Sequence, residues 1–142
     1  MTFTSNADIE HIYSGIIART LPKPEWTHAA HWAAAVAILS DKKQTAFEDM
    51  PQVIKAYNLA TGVKNTDTDG YHHTITLASL RAAKSVMAAP PLGGELFEIT
   101  NVILTLEFGK PNWLLTYWSK EVLFSVKARR DWVEPDIKAL PL

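Results

Sequence analysis

Three histidines stand where helices are expected to begin: His28 and His31 directly after Thr27, and His72 shortly after Gly70, with His73 beside it. Residues three apart on a helix share a face, so the imidazoles of His28 and His31 can converge on one point. One ligand from another element would complete a set able to hold a divalent metal, and His72 is the candidate for that third place. With an open coordination position, such an ion could activate water or polarise a carbonyl. The stronger zinc signature, His-Glu-x-x-His, is absent.

The same residues support a second chemistry. A helix N-terminus carries about half a positive charge and free amide donors, so it opposes a nearby cation by about 0.3 to 1 kcal/mol and favours an anion. In that reading the helix starts, with Tyr71, His72, His73, Tyr117 and Arg129, hold a small-molecule or anionic ligand. A third reading is a structural or interaction protein with no active site, whose five tryptophans serve packing and homo-oligomer formation. Under it, His31 lies at N4 of a helix whose N′ residue is Trp26, the spacing of a hydrophobic staple. His28 then faces solvent, and His72 and His73 donate to nearby carbonyls.

His72 belongs to a polar stretch, Asn65 to Thr76, between segments that read as amphipathic helix. Asn65, Asp67, Asp69 and Gly70 match the first, third, fifth and sixth places of the helix-loop-helix calcium motif. Thr76 stands where the bidentate glutamate should be, so the favoured role for these side chains is local hydrogen bonding and capping of the next helix. Ser119 with Lys120 and Glu121 lacks the glycine-flanked elbow of a nucleophilic serine.

Helical periodicity supplies the elements that must position these residues. A first helix is expected over Asp8 to Arg19, with Ser5 or Asn6 as cap, stopped by Pro22 and Pro24. A second runs from His28 to about Asp41 behind Thr27, alanine-rich and suited to close packing. A third covers Ala46 to Thr61, with Pro51 marking its first turn or a kink and Gly62 as left-handed terminator. The fourth starts near Tyr71, capped by Asp69 or Thr68, and reaches Ala89 before Pro90, Pro91, Gly93 and Gly94 break it. Leu96 to Phe108 is apolar nearly all round and reads as a central buried helix, since no second strand exists to pair with it. Trp113 to Phe124 and Val126 to Val133 read as two shorter helices, followed by an extended tail from Glu134. The expectation is an all-α fold, one compact bundle of about six or seven helices over residues 1–142.

Composition narrows the partners. The chain has 142 residues, 47% of them hydrophobic and 20% charged, enough to bury about 70% of its unfolded surface around one core. A formal charge of −1 and the lack of a basic tract argue against nucleic acid. With no cysteine there are no disulfides or thiolate ligands. Asp8 and Glu10 occupy the segment where a secretory signal would need a basic start, and no apolar run approaches the roughly 20 residues of a membrane span. The cytoplasm is the expected location.

Taken together, Glu25-Trp26-Thr27-His28-Ala29-Ala30-His31, Gly70-Tyr71-His72-His73-Thr74-Ile75-Thr76, Tyr117-Trp118-Ser119-Lys120-Glu121-Val122-Leu123-Phe124-Ser125 and Trp132-Val133-Glu134-Pro135-Asp136 resemble a group of uncharacterised small bacterial helical proteins. Their blocks read roughly Thr-His-x-x-His, Tyr-His-Glu-Thr and Tyr-Tyr-Ser-Arg-Glu-Arg-Leu-Phe-Ser. The resemblance spans most of the chain after Leu21 and implies an all-helical fold with His28, His31 and His72 as a set. This chain departs from the pattern at His73, where the group carries glutamate, and at Lys120, where it carries arginine. No activity follows from the likeness.

Overall fold

The computed structural model describes residues 2–89 and 94–142. Among these there are seven α-helices and no strand: α1 (Asn6–Ala18), α2 (His28–Asp41), α3 (Ala46–Ala60), α4 (His73–Ala88), α5 (Leu96–Thr105), α6 (Lys120–Leu123) and α7 (Val126–Arg130). The fold is all-α, as the periodicity requires. None of the helices is long and apolar enough to cross a membrane.

The first three helices follow from local sequence. The Asp8 carboxylate accepts from the amides of Thr4 and Ser5 at 2.8 and 3.3 Å, tying down the start of α1. Thr27 Oγ1 accepts from the Ala30 amide at 3.1 Å, so α2 begins at His28. α3 runs through Pro51, which lies inside the helix and not in its first turn. Gly62 follows its end at φ +85°.

At the centre of the bundle is α2. Every residue from Trp32 to Leu39 is buried, and the helix packs against α1, α3, α4 and α5. Alanine makes this possible, because small side chains let neighbouring backbones approach on several sides. The expectation that Leu96 to Phe108 is the central helix is corrected. α5 ends at Thr105, and the residues it buries, Ile99, Thr100 and Ile103, form a single stripe. Leu96, Phe97 and Leu104 are only partly buried.

Three further boundaries differ from expectation. α4 starts at His73, two residues later than the pattern suggests, because His72 and not Asp69 or Thr68 is its cap. Trp113 to Phe124 is not one helix: a 3₁₀ turn over Trp113–Thr116 gives way to α6, since Ser119 Oγ accepts from the Val122 amide at 3.3 Å and begins a new helix. Ser125 Oγ does the same for α7 by accepting from Ala128 at 3.1 Å, and α7 stops at Arg130. The expected break at Pro90, Pro91 and Gly93 lies outside the described residues.

The segment after α7 is built into the structure. Thr74, fully buried, donates from Oγ1 to the Asp131 carbonyl at 2.8 Å and accepts from the Val133 amide at 3.1 Å. Trp118 Nε1 donates to the Val133 carbonyl at 2.9 Å, Asp136 Oδ1 accepts from the Ser119 amide at 2.8 Å, and the Ile137 amide donates to the Tyr117 carbonyl at 2.9 Å. These bonds fasten residues 131–137 to α4 and to the segment that leads into α6.

Candidate functional site

His28 and His31 border one cavity of about 350 Å³ between the start of α2, the face of α4 carrying Ile75 and Ser79, and the Pro111–Leu114 segment. A recess of about 60 Å³ lies against the same wall, bordered again by His31, Ile75 and Ser79 and otherwise lined by apolar side chains such as Met50, Ile54 and Leu80. His31, Ile75 and Ser79 border both.

Hydrogen bonds orient both imidazoles and select the tautomer of His31. His31 Nδ1 lies 2.6 Å from the Thr27 carbonyl, which can only accept, so Nδ1 carries the proton and Nε2 keeps its lone pair. His28 Nε2 lies 3.0 Å from the Phe108 carbonyl, while Trp32 Nε1 is 3.2 Å from that oxygen and 3.3 Å from the His28 nitrogen. The indole N–H therefore reaches both the Phe108 carbonyl and His28 Nε2, and the three groups form one bonded cluster at the start of α2. Nδ1 of His28 has no hydrogen-bond partner among the described residues. The Phe108 carbonyl owes its position to a 3₁₀ turn over Glu107–Gly109, where a Cβ on Gly109 would meet the Leu104 carbonyl oxygen at 2.0 Å.

Trp26 stacks on His31 with ring centroids 3.8 Å apart, so the N′ to N4 staple read from the sequence is formed. Surrounding protein pushes the His31 pKa below its ordinary value, chiefly by desolvation and then through His28 and Lys23, against the Thr27 carbonyl. The residue is nonetheless exposed to solvent, which moderates that shift. Its neutral form is favoured.

His72 is placed differently. Its Nδ1 accepts from the Ile75 amide at 3.2 Å, capping α4, and its Nε2 donates to the Leu123 carbonyl at 2.7 Å. Both ring nitrogens are engaged. Burial lowers the His72 pKa, opposed by the Leu123 carbonyl and assisted by Arg129. The three imidazoles are not brought together: among the described residues no group of three or more His, Cys, Asp or Glu side chains stands in position to hold a metal ion.

Of the other candidates, Tyr71 and Arg129 share a second cleft, about 300 Å³ in volume, with Lys55, Asp67 and Arg130. Arg129 donates to the Gly70 and Tyr71 carbonyls at 3.0 and 3.4 Å, and the Lys55 ammonium lies 5.0 Å from the Tyr71 ring centroid. The Tyr71 hydroxyl and His73 Nδ1 share a hydrogen bond of 2.8 Å; burial raises the phenol to about 12 and lowers the His73 pKa, so both are neutral near pH 7. Tyr117 is not in this cleft. Its hydroxyl donates to Glu107, and the Lys138 ammonium sits 5.5 Å from its ring.

The loop that resembles a calcium site is closed by its own bonds. Asn65 Oδ1 accepts from the Tyr71 amide and Asn58 Nδ2, each at 3.0 Å, and Asn65 Nδ2 donates to the Lys55 carbonyl at 3.1 Å. Thr66 Oγ1 accepts from the Asp69 amide at 3.1 Å, and Asp67 pairs with Arg130 at 2.6 Å. Lys55 and Ser79 escaped the sequence reading. Ser79 lies four residues beyond Ile75 on α4, a spacing that puts it on the wall His31 faces, whereas nothing local links Lys55 to Tyr71.

Comparison with protein-family models, with curated proteins and with solved structures returned no match.

Proposed function

We propose that the protein is a ligand-binding helical module whose site is the cavity between α2 and α4, where His28 and His31 bind a divalent transition metal as a pair. One observation carries this reading: each imidazole is held at a backbone carbonyl, Phe108 or Thr27, through one ring nitrogen, its other nitrogen has no partner among the described residues, and both residues border one cavity. That second-shell arrangement fixes tautomer and ring orientation in metal-ligating histidines. Borderline ions such as Zn²⁺, Ni²⁺ and Cu²⁺ suit neutral imidazole, and two protein ligands leave coordination positions for water or a small molecule. The α2 dipole opposes the cation by only about 0.3 to 1 kcal/mol. His72 has no part in this site.

Elemental analysis of the purified protein, followed by calorimetric titration with Zn²⁺ and Ni²⁺, tests the reading. Binding is expected in the wild type and in His72→Asn, and is lost in His28→Ala and His31→Ala. A wild type that takes up neither ion, or a His31→Ala variant that binds as well as wild type, sinks it.

A second reading rests on the cleft by Tyr71. Lys55, Arg129 and Arg130 border it against the single acid Asp67, an excess of positive charge that suits a small anion. Lys55→Met keeps the stem over Tyr71 and removes the charge. Titration with inorganic phosphate and with citrate should show weaker binding in that variant, and equal binding in both proteins rules this cleft out.

A further inference from the structure

A further cavity lies away from both histidine clusters. It has a volume of about 640 Å³ and is formed where the chain after α7 runs past the exposed face of α4, with Phe47, Trp132 and Leu140 as apolar walls. Two cations stand on its α4 side. The Arg81 guanidinium lies 4.1 Å from the Trp132 ring centroid and the Lys84 ammonium 5.7 Å from that of Phe47. Aromatic contact holds both side chains at the rim without neutralising them.

Neither cation belongs to an ion pair among the described residues, where the pairs formed are His11 with Glu25 and Arg130 with Asp67. Glu134 also borders the cavity, but its Oε1 accepts from Trp132 Nε1 at 2.8 Å. That bond engages the carboxylate at the indole edge, so among the charged side chains bordering the cavity Arg81 and Lys84 are the ones left without a partner of opposite charge. Small-molecule sites combine this range of volumes, about 300 to 1,000 Å³, with mostly apolar walls and a few placed polar groups.

From this juxtaposition we infer that the cavity binds a small amphiphilic anion, its acidic head group between Arg81 and Lys84 and its apolar body against Phe47, Trp132 and Leu140. The inference is independent of the histidine site, since no residue borders both cavities. Charge at the head explains why cations, and not further apolar residues, occupy the rim. The apolar walls separate this ligand class from inorganic phosphate, which would leave them in contact with water.

Calorimetric titration with octanoate, octanol and octyltrimethylammonium tests the assignment, with tryptophan fluorescence as a second readout. Octanoate is expected to bind saturably and to outcompete the other two by about tenfold, the scale of a few weakly screened charge contacts. The double variant Arg81→Gln/Lys84→Met should lose about the same factor for octanoate and nothing for octanol. Trp132→Phe should abolish the fluorescence change while leaving calorimetric binding measurable, and Lys55→Met should leave octanoate affinity unchanged. Circular dichroism and thermal melts confirm that each variant is folded. No saturable octanoate binding, equal affinity for the three octyl compounds, or full octanoate affinity in a folded double variant overturns the inference.

Discussion

At the start of α2 the cap is a threonine and the histidines stand behind it, at the first and fourth helical positions; at the start of α4 the histidine is itself the cap. The residue type is the same and the helices pack against each other, yet the imidazoles end in different states. His28 and His31 each use one ring nitrogen on a backbone carbonyl and keep the other. His72 uses both, one on the Ile75 amide and one on the Leu123 carbonyl. A histidine is available for chemistry only where the fold leaves it a nitrogen, and hydroxyl capping by Thr27 is what leaves two of them free at α2.

The largest break in this contrast comes from His72→Ala. Losing the cap costs about 1 kcal/mol, and the buried Leu123 carbonyl left without a donor costs about 1 to 3 kcal/mol more. Denaturant melts should therefore show a loss of about 2 to 4 kcal/mol, the sum of those two effects. His72→Asn, which can cap but cannot span to Leu123, should recover about 1 kcal/mol of it. A His72→Ala protein as stable as wild type would mean that the imidazole does not hold the two helices together.

The same residue gives a pH signature. Burial holds the folded-state pKa of His72 below its ordinary value, so the unfolded chain takes up the proton first as pH falls. Its contribution is intact above about pH 6.5 and is lost as pH drops from there through the lower folded value. His31 and His73 are shifted in the same direction, so His72→Asn should flatten the fall in stability below about pH 6.5 without abolishing it. Stability measured from pH 5 to 8 checks the sign; a steeper slope in the variant contradicts it.

Thr27→Ala should be milder, about 1 kcal/mol, because it removes one hydroxyl bond at a helix start that the Trp26–His31 stack also holds. It sharpens the comparison through its second effect. With the cap gone the first turn of α2 frays, and His28 and His31 lose their common orientation. Metal affinity measured by calorimetry should fall more than the melting temperature does. A parallel fall in both would show that the cap acts through global stability alone.

How much of this was legible depends on where each determinant lies in the chain. The limits of α2, its Thr27 cap and the Trp26–His31 staple are encoded within a few residues of one another, and periodicity finds them. The cap of α4 is not. Imidazole is outside the usual capping set of Ser, Thr, Asp and Asn, so Asp69 and Thr68 stood out, and the Leu123 carbonyl that fixes His72 lies 51 residues away. Chemistry alone groups Tyr117 with Arg129, and only packing shows that its hydroxyl serves Glu107. The choice of central helix turned on the same limit: Leu96 to Phe108 is more apolar than α2, but alanine's small size, and not hydrophobicity, decides which helix can be surrounded.

The smallest change in stability should come from His31→Phe, and it separates the structural from the chemical role of that position most cleanly. Phenylalanine preserves an aromatic face against Trp26, so the stack and the helix entry survive. What it removes is the Nδ1–H donated to the Thr27 carbonyl and the unprotonated Nε2 beside the cavity. The Thr27 carbonyl keeps a partner, because the backbone amide of His31 donates to it at 3.0 Å. The net cost should therefore be within about 0.5 to 1 kcal/mol, one surface-accessible hydrogen bond. If the cavity binds metal, this variant loses it almost completely at nearly unchanged melting temperature, whereas His72→Ala loses stability and keeps the ion. The reverse pattern would assign the chemistry to α4 and the structural role to α2.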